Sequence, residues 1–230
     1  MASTRALGAL QASRALRVTL VVLTALTGMI DAVSYLGLGH VFTANMTGNV
    51  VLLGFALVGA GQISVLAALL SLAAFLVGAT AGGRLARLRE STGHRWVVTA
   101  LSLETALVAA AAAATLPVPA SRYVVVVLLA LAMGVRNATV RRLGIPDLTT
   151  TVLTLTLTGL AADTQLPGAE PGATLARRLS AVGAMLLGAV LGALLLRGGL
   201  AVSLSAAAIL LALVTAAYLA RQERTPRTTS

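Results

Sequence analysis

Residues Gly28 to Asn49 read GMIDAVSYLGLGHVFTANMTGN, and residues Gly134 to Thr156 read GVRNATVRRLGIPDLTTTVLTLT. Each is the end of a long apolar run that breaks into a short polar stretch rich in glycine and threonine. The two stretches lie about 106 residues apart. Gly28 aligns with Gly134, Asp31 with Asn137 and Ala32 with Ala138; after a slip of one residue, Leu36-Gly37 aligns with Leu143-Gly144 and Thr47 with Thr154. Polar groups are costly inside a bilayer, so matching polar clusters in two halves of one chain point to a pair of broken helices that are in use.

Working outward, the chain is apolar almost throughout. Of its 230 residues 58% are hydrophobic and 10% charged, with a mean hydropathy of +0.94. Soluble domains run nearer to about 45–50% apolar and about 25% charged. Several windows exceed the roughly 18 apolar residues that mark a spanning helix. The expected class is an all-α integral membrane protein. The expected organisation is a tail over 1–17, one membrane domain over 18–220 with halves at about 18–116 and 122–220, and a tail over 221–230. The basic start (Arg5, Arg14, Arg17) resembles a signal peptide, but the following run carries Asp31 and leads into further apolar segments, so it reads as a retained first helix.

Eight apolar segments can be drawn: 18–38, 47–60, 63–82, 96–116, 122–141, 148–163, 179–197 and 199–220. Six are long enough to cross; 47–60 and 148–163 are marginal at 1.5 Å per residue. The arginines decide how those two behave. If all eight segments cross, the arginines divide almost evenly between the faces. If the two short segments enter and leave on one face, every arginine except Arg122 and Arg197 falls on the face of the termini. The positive-inside bias selects the second arrangement, with both termini cytoplasmic. Three crossings per half is an odd number, which makes the halves an inverted repeat. The fold expected is thus a bundle of about six crossings plus two short re-entrant or broken helices.

Some functions are excluded by what is missing. There is no cysteine, so disulfides, thiolate metal sites and cysteine nucleophiles are absent. His40 and His94 are far apart, and no metal site or cofactor is expected. No nucleophile–base pair and no phosphate-cradling loop is visible, so no catalytic residue is assigned and the chain reads as a non-enzyme. The basic charge comes from arginines at the ends of apolar segments, with few aromatics among them. That suits anchoring against membrane lipid and not nucleic acid.

Asp31 is the first candidate site residue, a carboxylate deep in the first crossing. It reads either as a coupling residue that takes up and releases a proton or cation, or as a cap that locks the broken helix through Ser34, Thr27 or glycine amides. Asn137 is its uncharged counterpart. Asn45, Thr47 and Asn49 open the first short segment; Thr150 and Thr154 open the second. Threonine and asparagine cap helix starts, and two half-helices meeting near the midplane would aim free amides at a polar or anionic solute. Thr150, Thr154 and Thr158 could share a helix face, although threonines in such helices commonly bond their own i−4 carbonyls. Glu104, within the fourth segment, reads as a carboxylate that snorkels, pairs with an arginine or lines the cavity. Arg136 either neutralises Asp31 or joins Arg141 and Arg142 as an anchor. Tyr35 reads as an interfacial belt residue and His40 as a loop residue. Gly78/Gly82 and Gly188/Gly192 form G-x-x-x-G pairs, which allow close helix contact and could carry a homo-oligomer.

Asp31-Ala32, Leu36-Gly37-x-Gly39 and Phe42-Thr43-Ala44-Asn45-Met46-Thr47-Gly48-Asn49 together resemble the signature of the YoaK family of bacterial polytopic membrane proteins. Met133-Gly134-x-x-Asn137-Ala138 and Asp147-Leu148-Thr149-Thr150-Thr151-Val152-Leu153-Thr154 extend the resemblance to the second half. Arg136 departs from it, standing where the family tends to have glutamine, and Leu155 stands where a glycine often follows. The resemblance implies a bacterial inner-membrane protein and brings no assigned activity. On the residues, the leading expectation is a transporter for a small polar or anionic solute. A channel or facilitator and a membrane scaffold are the alternatives.

Overall fold

The computed structural model describes residues 14–61, 63–88, 95–115, 122–144, 153–162 and 171–223. Within them the chain is helical, and no strand occurs among the described residues. Lipid offers no hydrogen-bond partners, so a spanning backbone must satisfy itself, and a helix does this within one segment. In chain order the helices are α1 (Arg14–Gly37), α2 (Met46–Leu57), α3 (Val65–Leu88), α4 (Arg95–Ala113), α5 (Arg122–Leu143), α6 (Leu153–Ala162), α7 (Pro171–Leu195) and α8 (Leu200–Glu223). Six of them, α1, α3, α4, α5, α7 and α8, are long and apolar enough to cross a bilayer, while α2 is a shorter apolar helix.

α1 and α5 are the most enclosed crossings, whereas α7 and α8 face mostly outward through leucine and valine side chains. The sequence follows this division. The buried polar groups Thr24, Thr27, Asp31 and Ser34 sit on α1, and Arg136 and Thr139 sit on α5. Threonine hydroxyls within the spans return to their own helix: Thr24, Thr27, Thr105, Thr139 and Thr215 each donate to the carbonyl four residues earlier. This removes the penalty of an unpaired hydroxyl in an apolar setting.

Glycines set the two closest packings. A Cβ on Gly188 or Gly192 of α7 would run into the backbone of Ala25 or Met29 of α1. One on Gly78 or Gly82 of α3 would run into the backbone of Leu131 or Val135 of α5. Gly28 faces Met185 and Ala189 in return, and Gly134 faces Phe75 and Ala79. Contact positions rise together along both partners, so α1 runs parallel to α7 and α3 runs parallel to α5. Small residues allow this approach, and dispersion rewards it. The G-x-x-x-G faces that the sequence offered to a second copy are therefore occupied inside the chain.

One end of the bundle gathers the start of α1 and α7 and the end of α3, α5 and α8, with Arg17, Arg84, Arg87, Arg141, Arg142, Arg177, Arg178 and Arg221 near it. This basic end contrasts with the other, which carries Arg122 and Arg197.

Candidate functional site

Two polar centres occupy the bundle. The first is the junction of α1 and α2. α1 ends at Gly37, and the chain turns through Gly39 and His40, both at positive φ (97° and 59°). It then runs back toward Asp31, where Thr43 N and Ala44 N donate to Asp31 Oδ1 at 2.9 and 2.8 Å, and Asn45 N donates to Oδ2 at 3.1 Å. Asp31 lies six residues before the end of α1, so α2 starts about 9 Å below that end at 1.5 Å per residue. From there α2 leads back to the end of the bundle at which α3 begins. α2 dips into the bundle and leaves on the side it entered, as a re-entrant helix does.

Asn45 caps α2, its Oδ1 accepting Gly48 N at 3.1 Å. Asn49 is fully buried. Its Oδ1 accepts Phe42 N at 2.9 Å, and its Nδ2 donates to Phe42 O at 2.7 Å and to Ser71 Oγ of α3 at 3.2 Å. Ser71 Oγ donates to the same Phe42 carbonyl at 2.7 Å. Asn49 thereby ties the turn to α3, and Asp31 ties it to α1. Thr47 is exposed on the outer side of α2. Of the two readings of Asp31, the geometry matches a cap in kind, with the amides of Thr43, Ala44 and Asn45 as its donors in place of Ser34, Thr27 or glycine.

Of the second-half residues that the sequence aligned with this motif, only some are among the described residues. Asn137 Nδ2 donates to Met133 O of its own helix at 2.8 Å. Thr150 and Asp147 lie outside the described residues. Thr154 is exposed on α6, and Thr158 Oγ1 returns to Thr154 O at 2.9 Å. Thr156, between them, is the buried member.

The second centre is an ion pair between Glu104 of α4 and Arg136 of α5, at 1% and 2% side-chain exposure. Arg136 Nη1 also donates to Leu23 O at 2.8 Å and Thr27 Oγ1 at 2.7 Å, both on α1. Neither sequence reading of Arg136 survives: it does not neutralise Asp31, and it is not a surface anchor. It joins three helices at the core. Glu104 does pair with an arginine, as one of its readings allowed. An isolated charge here would cost several kcal/mol, and the pair holds only because each member compensates the other.

Above the pair lies a narrow cleft with room for about one water molecule, lined by α1 from Leu16 to Leu23, α4 from Val97 to Glu104 and α5 from Leu143 back to Arg136. Each wall spans eight residues, seven rises of 1.5 Å, so the cleft runs about 10 Å from the helix ends at the basic end to the ion pair at its floor. Apart from Thr19, Thr139 and the pair, its lining is apolar. Spacing in the sequence could not reveal this meeting, because Glu104 and Arg136 stand on different helices. The available signal was depth: Arg136 lies more than a turn inside Arg141, too far in for a comfortable anchor.

The fold and these two centres define a multi-pass helical membrane protein with a re-entrant helix and a buried charge pair. The chain belongs to the family described as "Protein of unknown function (DUF1275)", which it matches over residues 19–217. It is 38% identical over 152 residues to the UPF0700 transmembrane protein YoaK of Bacillus subtilis (strain 168), covering 65% of this chain and 68% of that one. The resemblance read from the Asn-Met-Thr-Gly-Asn motif thus holds. No solved structure matches the chain.

Proposed function

We propose that this chain is a secondary transporter for a small polar or anionic solute, built as an inverted duplication and lying in a bacterial inner membrane with both termini cytoplasmic. The observation that carries the reading is the buried Glu104–Arg136 pair at the floor of a cleft leading from the basic end. Ionisable groups inside a membrane domain are costly, and in such proteins they serve solute or proton paths. The excess of arginine at that end supports a cytoplasmic orientation.

The glycine contacts support the duplication. Adding about 106 to Ala25 and Met29 gives Leu131 and Val135, and subtracting about 110 from Gly188 and Gly192 gives Gly78 and Gly82, which are the residues those positions meet. The same offset relates Thr105 to Thr215, whose hydroxyls lie 3.2 Å apart. Two parallel helix pairs, α1 with α7 and α3 with α5, would then be the units that move against each other. In this reading Asp31 holds the re-entrant helix in place, and the coupling role passes to Glu104. The test is flux: purified protein in liposomes, offered labelled small carboxylates, amino acids and polyols in counterflow and under a pH gradient. The expected result is saturable uptake of one class, lost in Arg136→Gln. Folded protein that moves none of them above empty liposomes would refute transport.

A further inference from the structure

We infer that the Glu104–Arg136 pair at the floor of the cleft is a binding site for a small monovalent carboxylate, or an anion of like shape, taken up together with one proton as the pair opens, with Arg136 holding the anion and Glu104 accepting the proton. The inference rests on the reading of the cleft as the solute's way in.

Arg136 is anchored independently of Glu104, because Nη1 already serves Leu23 O and Thr27 Oγ1. Its Nε has no hydrogen-bond partner among the described residues. Glu104 has no partner other than Arg136 among those residues. The arginine is therefore fixed and the carboxylate is the exchangeable member. An incoming carboxylate that displaces Glu104 would find the Nε–Nη2 edge, two parallel N–H groups in the fork geometry that carboxylates accept bidentately.

Charge then dictates the proton. Glu104 and Arg136 together are neutral. An anion added to them leaves one uncompensated negative charge among Leu16, Leu20, Val97, Leu101 and Val140, where charge is poorly solvated. If Glu104 becomes the neutral acid, the site returns to zero: one proton and one anion enter, the Glu104–Arg136 pair opens, and the anion–Arg136 pair replaces it. No other described group is set to absorb the charge. From α1, Arg17 is exposed and Asp31 is held by its amides. From α5, Arg141 and Arg142 are exposed, as are Arg84 and Arg87 of α3, and α8 brings the buried phenol of Tyr218. A dianion would need a second proton or a second cation.

The experiment uses the full chain in a non-ionic detergent with acetate as the probe, between pH 6 and 8. Calorimetry in two buffers of different ionisation enthalpy counts the protons taken up per acetate. The expected result is close to one proton, with affinity weakening about tenfold per pH unit where Glu104 is ionised in the free protein. Glu104→Gln should bind acetate with no proton uptake and no pH dependence, and Arg136→Lys should bind at least about tenfold more weakly. Should either variant fail to fold, the two-buffer count on the unaltered protein still decides. Acetate binding without proton uptake overturns the inference, and so does no acetate binding. Flux without proton-linked binding removes this inference alone; proton-linked binding without flux removes the transport reading alone.

Discussion

Asp31→Asn separates geometry from sequence analogy. Asparagine already stands at the corresponding Asn137, so the sequence alone suggests that the change is mild. The structure says otherwise. Asp31 Oδ1 accepts from Thr43 and Ala44, and Oδ2 accepts from Asn45. Asparagine has one acceptor oxygen and an amino group, so at least one backbone N–H would face another donor. A hydrogen bond to a charged group contributes about 1.5–3 kcal/mol, and a stranded buried N–H costs about 1–3 kcal/mol. Relief from burying a carboxylate offsets part of this, leaving a net loss of about 2 kcal/mol. At roughly 2–4 °C per kcal/mol for a chain of this size, the melting temperature should fall by about 4–8 °C. Heating in detergent followed by size exclusion measures that fall, and hydrogen exchange should report faster amides at Thr43 to Asn49 with little change in α4 or α8. A melting temperature within about 1 °C of the parent, with amide protection intact, would refute the capping argument.

Gly188→Ala should destabilise by about 2 kcal/mol or more, because its Cβ would meet the backbone of Ala25. Gly183→Ala in the same helix has nothing within 4 Å of the new atom and should be neutral or stabilising by up to about 1 kcal/mol. Equal melting temperatures for the two would remove the close α1–α7 contact. Reporter fusions after residue 230, near residue 90 and after Arg142 should all report cytoplasm, and a C-terminus on the face opposite the residue-90 loop would overturn the proposed inverted orientation.

What was legible in the sequence was whatever lipid forces on a chain. A spanning segment must be long, apolar and helical, so the six crossings could be drawn, although α3 ends at Leu88 rather than 82 and α7 starts at Pro171 rather than 179. The short α2 could be drawn as well, because Asn45 and Asn49 interrupt an otherwise apolar run. Asp31 was legible as a costly carboxylate, but its partners were not. They are backbone amides of a turn that comes back on itself, and any residue type supplies an amide. Arg136 misled because its neighbours Arg141 and Arg142 do lie at the basic end. Its true partner depends on how α4 and α5 rotate against each other, which no local spacing records.

The proposed duplication makes the placement of charge informative. Under that proposal the contacts at Gly28, Gly78, Gly82, Gly134, Gly188 and Gly192 would be paired positions, and Thr105 would meet its own counterpart Thr215. The buried ionisable groups would have no such partners. Asp31 corresponds to Asn137, Arg136 to Ile30 and Glu104 to Val214. A frame with matched halves can rest with either end open at similar free energy, so a small bias decides which state is populated. Here the bias would come from one side only, since a single ion pair joins α4, α5 and α1 near the basic end and nothing charged answers it at the symmetric position. Opening that pair by proton and anion together would loosen the attachment of α4 to α5 and α1 without touching the glycine contacts that bind α1 to α7 and α3 to α5. Symmetric packing would thus preserve the moving units, and the unmatched charges would decide when they move.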